Sequence, residues 1–264
     1  GYLDAPLSNH IFVQNAWKHN GKNSEAQFGL KASIINNIGG STLYGYATLV
    51  PIWSHELESN RYELWAKRGY FLDGGINRSI GTQFSATYQD LDSYFGNRTF
   101  NAIERNLYGN LIFQDNIVDT RHTLKTGMDF NWRNLDQEIW GRTGDYNTLI
   151  TGAYAEYSYV SSPDGQGLSL ILGQRIDYLQ DFDSGSKGFY PVPRIHLKYT
   201  KGPWSFRSQL SYSYRVATLG AEYMGYMANN RGFDFYHEPQ GLFELPVEDA
   251  ITSGQSIIFT KDVF

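Results

Sequence analysis

The chain of 264 residues contains no cysteine, which excludes a disulfide framework and any thiolate-ligated zinc site. It also has no long apolar run. The longest uncharged stretch, residues 32–53 (ASIINNIGGSTLYGYATLVPIW), could span a bilayer by length, but its Asn, Gly, Ser, Thr and Pro leave it too polar for a membrane helix. No signal peptide opens the chain and its first residue is not Met, so a fragment or a trimmed chain is expected. The net charge of −5 and the want of any basic run argue against a nucleic-acid partner.

Catalytic patterns are missing too. GxSxG, HExxH and a phosphate loop are absent, and the six histidines (His10, His19, His55, His122, His196, His237) have no ligand spacing. Neither an enzyme nor a cofactor is expected. DLDS (90–93) and DFDSG (181–185) match the start of a calcium loop but lack its remaining ligands and terminal Glu, so they read as solvated loop acids. Asn77-Arg78-Ser79 and Asn97-Arg98-Thr99 match the glycosylation pattern, which is common by chance.

What the chain has is tyrosine. Only 41% of it is apolar, yet 16% is aromatic, with 20 Tyr. Tyr suits a surface half apolar and half wet, such as a membrane interface or a sugar-like ligand. It also has two-sided strands. In WSFRSQLSYSYR (204–215), Trp204, Phe206, Leu210, Tyr212 and Tyr214 share one parity, while Ser205, Arg207, Gln209, Ser211, Ser213 and Arg215 share the other. A period of two is a strand signal. The same alternation recurs at 25–35, 79–89, 122–133 and 168–178, and more loosely at 10–19, 60–71, 105–116, 150–160, 193–200 and 254–262. That makes about eleven strands of roughly ten residues, the length a tilted strand needs to cross a bilayer.

A soluble sheet would place the apolar side on a core, and a membrane barrel would place it in lipid. The connections favour the barrel. Turn-rich segments at 20–23, 73–77, 118–120, 162–167 and 201–203 alternate with long ones at 36–59, 90–104, 134–149, 180–192 and 216–253. Short periplasmic turns opposite long extracellular loops are the barrel's arrangement. Trp17, Tyr70, Tyr88, Tyr159, Tyr178, Tyr199, Trp204 and Tyr214 fall near strand ends, where interfacial girdles belong. Trp204 to Tyr214 then face lipid, and Arg207, Gln209 and Arg215 line a wet lumen. Lys31, Arg61, Glu63, Lys125, Asp129, Arg133, Glu156, Arg175, Asp177, Arg194 and Lys198 join them on that wall as ion pairs and hydrogen bonds. Eleven strands are half of a 22-stranded barrel, and an open sheet would leave unpaired edges in lipid.

AYAEYSY (153–159), LILGQRIDY (170–178), PRIHLKY (193–199), residues 206–233 and LPVEDAITSGQSIIF (245–259) resemble successive barrel strands of TonB-dependent outer-membrane receptors. WKHNGK (17–22), AQFGLKA (26–32), residues 78–96 and LYGNLIFQ (107–114) resemble the version found in Bacteroidetes. The resemblance spans nearly the whole chain. It implies an all-β antiparallel transmembrane barrel, of which 1–264 is a part, with the plug domain, the TonB box and the remaining strands outside it. It also implies active uptake of a scarce ligand of the siderophore, haem or cobalamin class, such as a metal chelate. The partners implied are the TonB complex, reached through the plug, and outer-membrane lipid. Other readings of the same residues are a passive channel or structural barrel, and a soluble carbohydrate-binding module.

The longest loop, 216–253, is aromatic and only modestly charged, so it is expected to fold. Its aromatic faces and polar groups suit a bulky, partly apolar ligand. Arg215, Glu222, Tyr223, Tyr226, Asn230, Arg231 and Tyr236 are the candidate ligand contacts.

Overall fold

The computed structural model describes residues 2–41, 54–72, 78–96, 98–139, 141–162, 164–214, 216 and 251–261. These form β1 Tyr2–Asn20, β2 Ser24–Ser41, β3 Ser54–Phe71, β4 Ser79–Phe95, β5 Arg98–Asn116, β6 His122–Ile139, β7 Arg142–Val160, β8 Gly167–Asp181, β9 Lys187–Lys201, β10 Trp204–Tyr214 and β11 Ile251–Lys261. Each strand pairs antiparallel with its chain neighbour in one meander. The expected all-β antiparallel sheet of eleven strands is present. Among the described residues it is open, with β1 and β11 as its edges.

Register carries the two-sided sequence into two faces. Phe28 lies opposite Trp17 and Ala66, Tyr70 opposite Ile80, Met128 opposite Ala153 and Ile176 opposite Ala153. The exposed large apolar side chains on strands lie on this outer face, apart from Phe12 on β1 and Val160 at the end of β7. The buried side chains fall on the other, inner face: Leu135, Ile139, Leu179 and Tyr190, with Ser59, Ser93, Asp129, Gln137, Thr148, Asp177 and Ser205. Greasy side chains outside and polar ones inside invert the soluble arrangement.

The outer face is apolar over a limited height. The bands 80–88, 124–132 and 168–178 hold about nine to eleven residues each, a rise of about 21–26 Å at about 3.3 Å per residue and about 45° of tilt. Tyr62, Tyr88, Trp132 and Tyr178 close the band above, and Tyr70, Tyr157, Tyr159, Tyr199 and Trp204 close it at the short turns. Trp132 donates its indole N–H to Asn147 at 2.9 Å, an apolar ring with a wet edge. Above this level the outer face turns polar, through Glu56, Glu58, Asn60, Asp90, Asp92, Asn101, Asn134, Asp136, Glu138 and Asp145.

Two expectations are corrected here. The strands are longer than ten residues, up to 19 in β1, β5 and β7. Three of the supposed long loops are mostly strand: 90–104 turns at Gly96 (φ 67°), 134–149 turns at Gly141 (φ 76°), and 180–192 turns over residues 182–186. The ladders continue above the apolar band, but the outer face is polar there and buried Leu135, Ile139 and Leu179 lie on the inner face, so the apolar-outside alternation fades. Positive φ at the two glycines permits the abrupt reversals. Asp90 and Asp92 therefore sit in β4 and not in a loop. In the 182–186 turn, Asp181 accepts from the Ser184 hydroxyl at 2.7 Å and Asp183 from the Asn147 N–H at 2.6 Å, so these acids serve the turn.

Tyr214 is the second correction, since its side chain joins the inner face. The β9–β10 ladder stops at Arg194 opposite Ser211, while β8–β9 pairing continues past Pro193 and Pro191. Neither proline has an N–H to donate to β10. Released from β9, the end of β10 turns Tyr214 onto the wall.

Candidate functional site: the inner wall

The inner wall is built from side chains that alternate with the apolar band, so each polar residue sits back to back with a greasy one. At mid-height, Asp129 of β6, Gly152 of β7 and Asp177 of β8 lie in one row across three strands. Arg175 reaches over Gly152 to Asp129, with Nη2 2.8 Å from Oδ1 and Nη1 on the other carboxylate oxygen. Its Nε donates to Asp177 at 2.5 Å. Glycine leaves room for it in this position. A Cβ at residue 152 would lie 2.4 Å from Arg175 Nη2 and 2.5 Å from Asp177 Oδ1.

Asp177 also accepts from the Tyr214 hydroxyl at 3.2 Å, and Tyr214 stacks on Tyr190 with ring centroids 4.4 Å apart. The carboxylates are nearly sealed, with side-chain exposures of 3% for Asp129 and 7% for Asp177. A guanidinium held by two carboxylates is the strong, bidentate kind of pair. Beside it, Tyr108, Asn110, Tyr154, Glu156, Arg175 and Arg194 line a cavity of about 260 Å³. Tyr154 donates to Asn110 at 3.1 Å, and Arg194 pairs with Glu156.

The pattern repeats around the wall. Lys31 meets Glu63 at 3.0 Å, Arg133 meets Glu104 at 2.8 Å, and Arg61 donates to Gln89 at 3.1 Å. Most of the expected lumen charges are thus brought together as compensated pairs, while Lys198 and Arg207 face each other and Arg215 lies outside the described residues. Such a wall can hydrogen-bond a passing solute or a seated polypeptide. No group of three or more His, Asp or Glu among the described residues is placed to hold a metal ion. At the short-turn rim, outside the band, Arg121 donates to Asp119 at 2.6 and 2.9 Å, which holds that carboxyl below its ordinary range.

The candidate ligand contacts Arg215, Glu222, Tyr223, Tyr226, Asn230, Arg231 and Tyr236 all lie outside the described residues. The wall instead supplies Tyr214, immediately before them, anchored on Asp177 and Tyr190. Sequence parity placed Tyr214 in lipid. The two prolines of β9 were the signal that pairing would end there.

No protein-family model and no curated protein sequence matches the chain. Solved structures do match. The alcaligin outer-membrane receptor FauA of Bordetella pertussis aligns at 12% identity and a TM-score of 0.55, over 80% of this chain and 36% of that one. A chain of the FpvAI–pyocin S2 complex aligns at 8% identity and a TM-score of 0.61, over 82% of this chain and 36% of that one. The fold is that of an outer-membrane receptor barrel. In such a barrel the inner wall is the lumen and the apolar band is the lipid face. The 264 residues span about a third of the length of these receptor chains.

Proposed function

We propose that this barrel wall belongs to a TonB-dependent receptor that takes up a scarce ligand, of the siderophore, haem or cobalamin class, across the outer membrane. The observation that carries this reading is the receptor-barrel fold, over 80% of the chain, joined to a lumen wall on which most cations are paired with carboxylates. A neutralised, hydrogen-bonding wall suits a barrel filled by a plug domain, through which the TonB complex would act. The segment 216–253 would supply ligand contacts through Arg215, Glu222, Tyr223, Tyr226, Asn230, Arg231 and Tyr236. Tyr214 would hold the start of that segment to the wall.

A strain deleted for the gene, grown with single sources of iron, haem or cobalamin, should fail on one of them. Collapsing the proton gradient should stop uptake of that ligand in the parent strain. Uptake that continues without a gradient would identify a passive channel instead. Replacing Tyr223, Tyr226 and Tyr236 together with Ser in the full-length protein should weaken binding while leaving barrel assembly and heat-resistant migration intact. Unchanged binding would make the segment a structural lid.

A further inference from the structure

We propose that the short-turn end of the lumen wall carries an oxyanion site formed by Lys198, Arg207, His196 and Gln209. Lys198 of β9 lies directly opposite Arg207 of β10, and Ser169 of β8 lies opposite Lys198 on the other side. Like charges facing each other across a ladder repel and destabilise it. Several other cations of the wall have a carboxylate: Lys31 has Glu63, Arg133 has Glu104, Arg175 has Asp129 and Arg194 has Glu156. Among the described residues Lys198 and Arg207 have none. Between them and Ser169, Ile171, His196 and Gln209 lies a cavity of about 430 Å³, large enough for a carboxylate or phosphate group with its neighbours.

Ammonium and guanidinium groups donate and never accept, so they cannot satisfy each other. An anion's oxygens accept from both at once, and charge-assisted bonds of this kind are the strong class. His196, Gln209 and Ser169 on the same face offer further polar groups to the same cavity. A metal cation would be repelled.

The oxyanion can be a free anion in the lumen or an Asp or Glu side chain of polypeptide seated there. The site does not depend on which cargo the receptor carries. Two measurements on the detergent-purified full-length protein separate these sources. Inorganic phosphate is titrated by calorimetry into the parent, Arg207→Gln and Arg207→Lys proteins. Zero-length carbodiimide crosslinking of the parent is mapped by mass spectrometry for an amide at Lys198.

A free-anion site gives saturable phosphate binding, weakened at least tenfold by Arg207→Gln and largely restored by Arg207→Lys. A polypeptide carboxylate gives little phosphate binding and an amide from Lys198 to an acidic residue outside β8–β10. Heat-shifted migration in gels verifies that each variant is folded, and the crosslink needs no variant. Phosphate binding indifferent to Arg207→Gln, or neither binding nor crosslink, would overturn the proposal.

Discussion

Replacing Arg175 with Met removes the cation that two sealed carboxylates share. Asp129 and Asp177 keep exposures of only 3% and 7%, so both would be left charged, desolvated and facing each other across the Gly152 row. Breaking a buried pair by deleting one partner costs about 3–5 kcal/mol. The Arg175 side chain is itself 31% exposed, so water screens part of the interaction. That places the expected loss near the bottom of the range, about 3 kcal/mol. The measurement is urea unfolding of the full-length protein refolded into lipid vesicles, followed by tryptophan fluorescence. Neutralising the carboxylates alongside, in Arg175→Met/Asp129→Asn/Asp177→Asn, should recover most of the loss, because it is the unpaired charge that is unfavourable. A loss below about 1 kcal/mol in the single variant, the level of an exposed pair, would refute the claim that this network is buried and coupled. So would a triple variant no more stable than the single one.

Leu210 is 54% exposed on the lipid face, and Ser211 beside it faces the lumen opposite Arg194. Leu210→Arg should therefore cost about 2–4 kcal/mol and block assembly, while Ser211→Arg assembles; equal effects on heat-resistant migration would mean that the faces are reversed. Gly152→Ala should displace Arg175 and lower the unfolding midpoint, whereas Gly69→Ala, whose Cβ would meet nothing within 4 Å, should leave it unchanged. Tyr214→Phe keeps the stacking on Tyr190 and removes one hydrogen bond to Asp177, for a loss of about 1 kcal/mol. If Tyr214 anchors the ligand-binding segment, ligand affinity should fall more than stability does, and an unchanged affinity would sever that link.

Where the sequence was legible, lipid made it so. Met128, Phe130 and Trp132 must be apolar and Asp129, Asn131 and Arg133 must not, so β6 announces itself through its alternation. The extension of the same strand, Asn134 to Ile139, faces water outside, and Asp136 and Glu138 erase the pattern although the ladder runs on to Arg142. Residues 90–95 of β4 read as loop for the same reason. The Asp129–Arg175 pair was legible as two lumen charges but not as a pair. The two residues lie 46 positions apart on strands separated by β7, and only register shows that Gly152 opens the way between them. Tyr214 failed differently. Its parity pointed outward, and the decisive residues were two prolines on the neighbouring strand.

The net charge of −5 hides a separation by face and height. Above the band the outer face sets Glu58 opposite Asp92 and Asp136 opposite Asp145, like charges with water around them. In bulk water such a pair at about 4 Å repels by about 1 kcal/mol, so an exposed acidic belt is tolerable. Lys198 and Arg207 are set opposite each other on the lumen side, lining one cavity with no carboxylate partner among the described residues. Moving this cluster to the other face would relieve nothing. A one-residue slip of β10 would carry Arg207 into the lipid face near its short-turn edge, at a cost below the about 2–4 kcal/mol of the midplane, and would turn Leu210 onto the polar wall. Register therefore confines the two cations to the lumen, where an anion that enters can meet both.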